Sequence, residues 1–187
     1  MEEVESFENK DGVVLRIYPD TDYDNPRDWC NAWKFCFFHN KYTMPEESGL
    51  DLKTSHYTSF DKMIHFVERK LKPALILPVY MYDHSGIGLS LGNGSYPFNC
   101  PWDSGMIGFA YIRKRELRKE WGAGDEAKEK AKKYLLGELE TYEQYINGSV
   151  YGFVKEDADC VELGSCWGFF GYDHVASGLF EHAGWEA

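Results

Sequence analysis

"PALILPVYMYDHSGIGLSLGNGSYPFNCPWDSGMIGFAYI", Pro73 to Ile112, holds three candidate strands in forty residues. Its first part is an almost unbroken apolar and aromatic run of strand length, as expected of a buried strand. Pro78 inside that run marks an edge or a bulge, because proline donates nothing to a ladder. "GIGLSLG" and "MIGFAYI" then read as two antiparallel strands joined through "NGSYPFNCPWDSG", with a glycine-asparagine turn at Gly92–Asn93 and a Cys-Pro-Trp step at Cys100.

Upstream, Phe60, Met63, Ile64, Val67 and Leu71 recur at helical spacing. Thr58 with Asp61 three residues on resembles a capping box, so the helix begins near Thr58 and Pro73 ends it. "GVVLRIY" (Gly12–Tyr18) follows Asp11 and reads as a strand. "NAWKFCFFH" (Asn31–His39) is aromatic on both faces and predicts a central strand. Residues 40–57 lack periodicity and read as a long surface loop, a class often given to function.

Downstream, helix is predicted from about Lys114 to Ile146, broken near "WGAGD". Its second part carries Ala127, Ala131, Tyr134, Leu135, Tyr142 and Ile146 near one stripe, and Gly148 closes it. "SVYGFVKE" and "CVELGSCWGFFG" are two more strands, and residues 172–187 can form a short helix. Strands bracket each helix without a series of parallel crossovers. The expectation is an α+β fold, one domain over residues 1–187, with a mainly antiparallel sheet and two main helical segments.

Composition narrows the function. With 43% apolar and 17% aromatic residues, the chain can bury a core and is no disordered tail. No run is long enough for a membrane helix, and the acidic "MEEVESFENKDG" start is no signal peptide, so a cytoplasmic setting without membrane partners is expected. Five cysteines without C-x-x-C spacing read as reduced thiols. The formal charge of −11 argues against direct binding of nucleic acid, which needs clustered Lys and Arg. It suits solubility, or an acidic face aimed at a basic partner.

Several groups could carry chemistry. Asp83-His84-Ser85-Gly86 and Asp103-Ser104-Gly105 are near-copies of one phrase at strand–turn junctions. The plain reading is turn chemistry, with Asp83 and Asp103 accepting from the backbone N–H groups of Ser85, Gly86, Ser104 and Gly105. The sharper reading joins Asp83, His84 and Asp103 around a divalent ion, the one cofactor such a set implies, or pairs His84 with Cys100 as an activated thiol. No G-x-S-x-G elbow surrounds Ser85 or Ser104. The "DTDYDNPRD" loop (Asp20–Asp28) imitates a calcium loop but lacks the required glycine and glutamate, so it reads as a solvated acidic loop. Cys30, Cys36 and His39 do not make a zinc set, because His39 has the opposite strand parity. Exposed tryptophans beside acidic loops would anchor a protein interface. The candidate partner-binding residues are Asp20, Asp22, Asp24, Asp28, Trp29, Glu156, Asp157 and Asp159.

Taken in order, "NPRDW", "YDHSGI", "CPWDSGMIGFAYI", "ETYEQYINGSVYGF" and "SCWGFFG" resemble an uncharacterised family of small proteins of bacteriophages and prophages, over roughly Ile17 to Gly171. The resemblance implies a phage or mobile-element accessory protein acting in the host bacterial cytoplasm. Small acidic phage proteins are similar to inhibitors of host defence, including anti-CRISPR and anti-restriction proteins. The leading expectation is therefore a protein that binds a host nucleic-acid-binding defence nuclease, such as a CRISPR effector, through an acidic surface. The alternatives are a small metal- or thiol-dependent enzyme at Asp83, His84, Cys100 and Asp103, and a nucleotide-binding sponge built on glycine-rich turns.

Overall fold

The computed structural model describes residues 2–92, 96–100 and 102–186. The expected turn at Asn93 and the proline of the Cys-Pro-Trp step lie outside them. The strands are β1 Glu5–Glu8, β2 Val14–Pro19, β3 Lys34–Phe37, β4 Leu75–Asp83, β5 Ile87–Leu91, β6 Ser104–Ile112, β7 Val150–Glu156 and β8 Glu162–Phe170. The helices are α1 Phe60–Leu71, α2 Lys114–Trp121, α3 Asp125–Ile146 and α4 Leu179–Ala183. The fold is α+β and wholly antiparallel, but its strands form two four-stranded sheets, not one. The chain divides into two compact units, Met1–Asp28 with Gln144–Ala187, and Trp29–Glu143.

In the Trp29–Glu143 unit the strand order is β3-β6-β4-β5. β5 and β6 therefore do not pair with each other; they flank β4, whose apolar run occupies the interior of the sheet as its composition requires. β3 is an edge strand, contrary to the central position expected. It is buried on both faces because helices cover both, although its aromatics share one face. On one face Cys36 packs with Met63 and Val67 of α1. On the other, Phe35 stacks on Phe37 and meets Tyr142 of α3 edge-on. The open edge is closed by the following loop, where Phe37 donates to the Pro45 carbonyl and Glu47 to that of Phe35, both at 2.9 Å.

Helix α1 is capped one residue later than expected, by Ser59, whose hydroxyl accepts from the Lys62 N–H at 3.4 Å. In α3 the buried stripe is Ala127, Ala131, Leu135, Glu138, Leu139 and Tyr142, while Tyr134 is half exposed. Glu138 lies on that stripe because it caps the entry to β3: its carboxylate accepts from the N–H groups of Ala32 (3.1 Å) and Trp33 (3.3 Å). The Trp33 indole in turn donates to the Ala131 carbonyl at 2.9 Å.

In the other unit the order is β1-β2-β7-β8, and Leu15, Ile17, Tyr151, Phe153, Leu179, Phe180 and Ala183 form the core. Gly152 has no side chain because the Trp167 ring lies over it; a Cβ there would stand 2.1 Å from a ring carbon. Gly148 ends α3 at φ +68°, as expected. Strand β1 escaped the sequence reading because it is short and polar, with three of its four residues exposed. Among the described residues no helix is long and apolar enough to cross a membrane.

Gly108 of β6 has φ +150°, and a Cβ there would stand 1.9 Å from the Cys36 carbonyl oxygen. Gly108→Ala should cost about 3 kcal/mol or more in urea unfolding. Gly105→Ala, with nothing within 4 Å of the added carbon, should change stability by less than about 1 kcal/mol. Equal effects of the two substitutions would contradict the packing described for β6.

Candidate functional site

The β4–β6 ladder contains a register shift. Val79 faces Gly108, but the next residue, Tyr80, faces Met106, so β6 holds one extra residue, Ile107. The Ile107 carbonyl turns to the other neighbour and accepts from Phe38 N–H at 2.7 Å. Beyond the bulge the shifted register pairs Tyr82 with Ser104 and carries Asp83 onto Asp103, where the Asp83 N–H donates to the Asp103 carbonyl at 2.7 Å. Without the extra residue Asp83 would face Ser104. The bulge thus places two carboxylates side by side on adjacent strands.

They stand at a cleft of about 750 Å³. Phe37, Phe38, His39 and Tyr42 line it from the end of β3 and its loop, and Phe60 from the first turn of α1. Met44, Met81 and Met106 add flexible apolar surface. Trp102 lies on the rim, and 92% of it is exposed. The candidate pair therefore sits within an aromatic and methionine-lined cleft, part of which comes from the long loop after β3.

Asp83 and Asp103 take side-chain partners instead of the backbone N–H groups expected. The Tyr42 hydroxyl donates to Asp83 Oδ2 at 3.0 Å, and Lys41 Nζ lies 3.4 Å from the same oxygen. The Tyr42 hydrogen bond, then Lys41, holds the Asp83 carboxyl below its ordinary 3.8. The Cys100 thiol donates to Asp103 Oδ2 at 3.3 Å, and His84 Nδ1 lies 3.6 Å from that oxygen. Among the described residues neither Oδ1 carries a hydrogen bond. Ser85 at φ +59° and the His84 N–H to Gly86 carbonyl bond (3.1 Å) form the β4–β5 turn. Ser104 donates to the Cys100 carbonyl, so the Tyr96 hydroxyl, 2.7 Å away, is the donor to Ser104.

Among the described contacts Cys100 is bonded to Asp103 and not to His84. Among the described residues no three His, Cys, Asp or Glu side chains converge as metal ligands. Burial, then Glu46, pushes the Cys36 thiol well above its ordinary value, while Cys30 is exposed. His174 is buried against Tyr151 and Phe180, with Nε2 3.2 Å from Glu5.

The acidic partner-binding candidates are dispersed. Asp20 is buried; its carboxylate accepts from the Asp22 N–H (3.0 Å) and its N–H donates to Val150 (2.8 Å). It supports the fold, contrary to its assignment as a free loop carboxylate. Asp22, Asp24 and Asp28 are exposed, and Trp29, which begins the other unit, is 48% exposed. Glu156 is paired with Arg16 at 3.1 Å, and Asp157 ties the β7–β8 turn by accepting from Asp159 and Val161 N–H groups, both at 2.9 Å. Pro19 pairs with Tyr151 and Val14 with Glu156, so the Asp20 group and the Glu156–Asp159 group lie at opposite ends of β2 and β7. That separates them by about 20 Å at the ordinary strand rise.

Charge is nevertheless segregated by unit. The Met1–Asp28 and Gln144–Ala187 unit holds 16 acidic against 4 basic residues, and the Trp29–Glu143 unit 15 against 16, together the 31 and 20 of the chain. Within the second, the whole run from Pro73 to Ile112 contains only two formally charged residues, Asp83 and Asp103. That pattern is the sequence signal for the cleft. No protein-family model, no curated protein and no solved structure matches the chain.

Because Tyr42 is the main cause of the Asp83 shift, Tyr42→Phe should move the Asp83 carboxyl titration upward toward 3.8 in an NMR pH series. The stabilising contribution of this carboxylate is complete above 3.8 and is lost as pH falls through the lower folded-state value. An unchanged midpoint in the variant would remove the Tyr42 bond from the account.

Proposed function

We propose that the protein is a binding protein of phage or mobile-element origin that inhibits a host defence nuclease, such as a CRISPR effector or a restriction enzyme. It does so by occupying the basic groove in which that nuclease holds nucleic acid. The observation that carries this reading is the segregation of charge: one unit bears 16 acidic residues against 4 basic ones. Such a surface attracts a basic groove over a Debye length and repels nucleic acid itself. Phage origin rests on the ordered phrases from "NPRDW" to "SCWGFFG". The host cytoplasm is where such a target would be met, and the mechanism calls for no cofactor. The thiol-enzyme alternative gains nothing from Cys100, whose thiol is bonded to Asp103.

The test is inhibition of nucleic-acid cleavage by a purified CRISPR effector or restriction enzyme of the host, measured between about 50 and 500 mM salt. Inhibition should weaken as salt rises. Asp22→Lys with Asp24→Lys, both at exposed positions, should slow association by about tenfold at low salt with the fold intact. Asp20 is left in place because it is structural. Inhibition indifferent to salt and to both substitutions would refute the charge-guided form of the reading.

A further inference from the structure

We propose that the cleft between β4, β6 and the loop after β3 receives the guanidinium of an arginine presented by the protein partner. The inference rests on the binding reading above and names what one subsite recognises. Trp102 is the first argument. An indole 92% exposed on the rim of a cleft offers a bare π-face to a partner, and the guanidinium plane is the cation that stacks on such a face best.

Charge complementarity is the second argument. Asp83 and Asp103 stand opposite each other across β4 and β6, an arrangement that costs stability when both are ionised. Among the described residues their bonds fall on Oδ2 alone, which leaves each Oδ1 to an incoming ligand. Lys41 shows how this corner handles a cation: its ammonium sits 4.6 Å over the Tyr42 ring while lying 3.4 Å from Asp83. A point charge from the chain itself takes the outer corner in that way. Two carboxylates and an exposed indole lining one cleft suit a planar fork of N–H donors, which arginine supplies and lysine does not.

The experiment uses the full chain alone, without any nuclease. The Trp102 indole N–H signal is assigned by its loss in Trp102→Phe and then followed during titration with argininamide, lysinamide, citrulline amide and adenosine. Argininamide should shift that signal saturably, with lysinamide weaker and citrulline amide, the neutral isostere, without effect. Asp103→Asn should weaken argininamide binding by about tenfold; the other indole signals report that the fold is retained. An absent response to argininamide, an equal response to citrulline amide, or a stronger response to adenosine each overturns the proposal. The two readings fail separately. Nuclease inhibition without argininamide binding removes the arginine subsite, whereas argininamide binding without inhibition supports the subsite and removes the nuclease.

Discussion

One extra residue in β6 governs the candidate site. Ile107 breaks the β4–β6 register between Val79 and Tyr80, and every pair beyond it is offset by one. Two-residue periodicity makes such an offset consequential, since it changes which side chains stand opposite one another. Here it replaces Ser104 by Asp103 as the neighbour of Asp83. Gly108 belongs to the same device, because β3 approaches so closely that no Cβ fits beside the Cys36 carbonyl. Backbone packing in the sheet interior is thereby converted into a charge arrangement at the sheet end.

Two carboxylates that the register sets opposite each other line one cleft with a nearly bare tryptophan. Both features would be accounted for if a cation completed the site, as proposed above. The rest of the Pro73–Ile112 run is formally neutral, so no other fixed charge in it competes for that cation. The large negative charge resides elsewhere, in the unit built from the two ends of the chain. Long-range attraction to a basic partner and short-range recognition of one side chain are distinct physical tasks, and the proposed reading would place them in different segments.

Much of the fold was legible because periodicity and breakers agreed. The β4 run, the α2–α3 break at "WGAGD", the Gly148 stop and the β7 and β8 strands all appear where apolar pattern and glycine placed them. Pro78 had marked an edge or a bulge in β4; β4 is interior, Pro78 pairs in register with Phe109, and the bulge is the extra Ile107 of β6. β3 was misplaced to the centre because burial on both faces looks the same whether other strands or a loop close its edges. Strand β1 carried a single apolar residue, Phe7, too little to make a pattern. The site was half legible: the Asp-Ser-Gly phrases marked the right strand ends, but local turn chemistry gave no hint of Tyr42 and Lys41 as partners of Asp83. Those contacts come from a loop without periodicity, and only the tertiary fold brings it to β4. Reading Asp20 as a solvated carboxylate failed for a related reason, because its turn is closed by Val150, which is remote in sequence.

The candidate site depends on the bulge setting Asp83 and Asp103 opposite each other on β4 and β6. A double-mutant cycle of Asp83→Asn and Asp103→Asn, read by urea unfolding at pH 7, isolates their pairwise coupling from the other bonds each makes. The expected coupling is repulsive, on the order of 0.2–1 kcal/mol, and shrinks as salt is raised. A coupling of zero or of attractive sign at low salt would contradict the register and the cation site built on it.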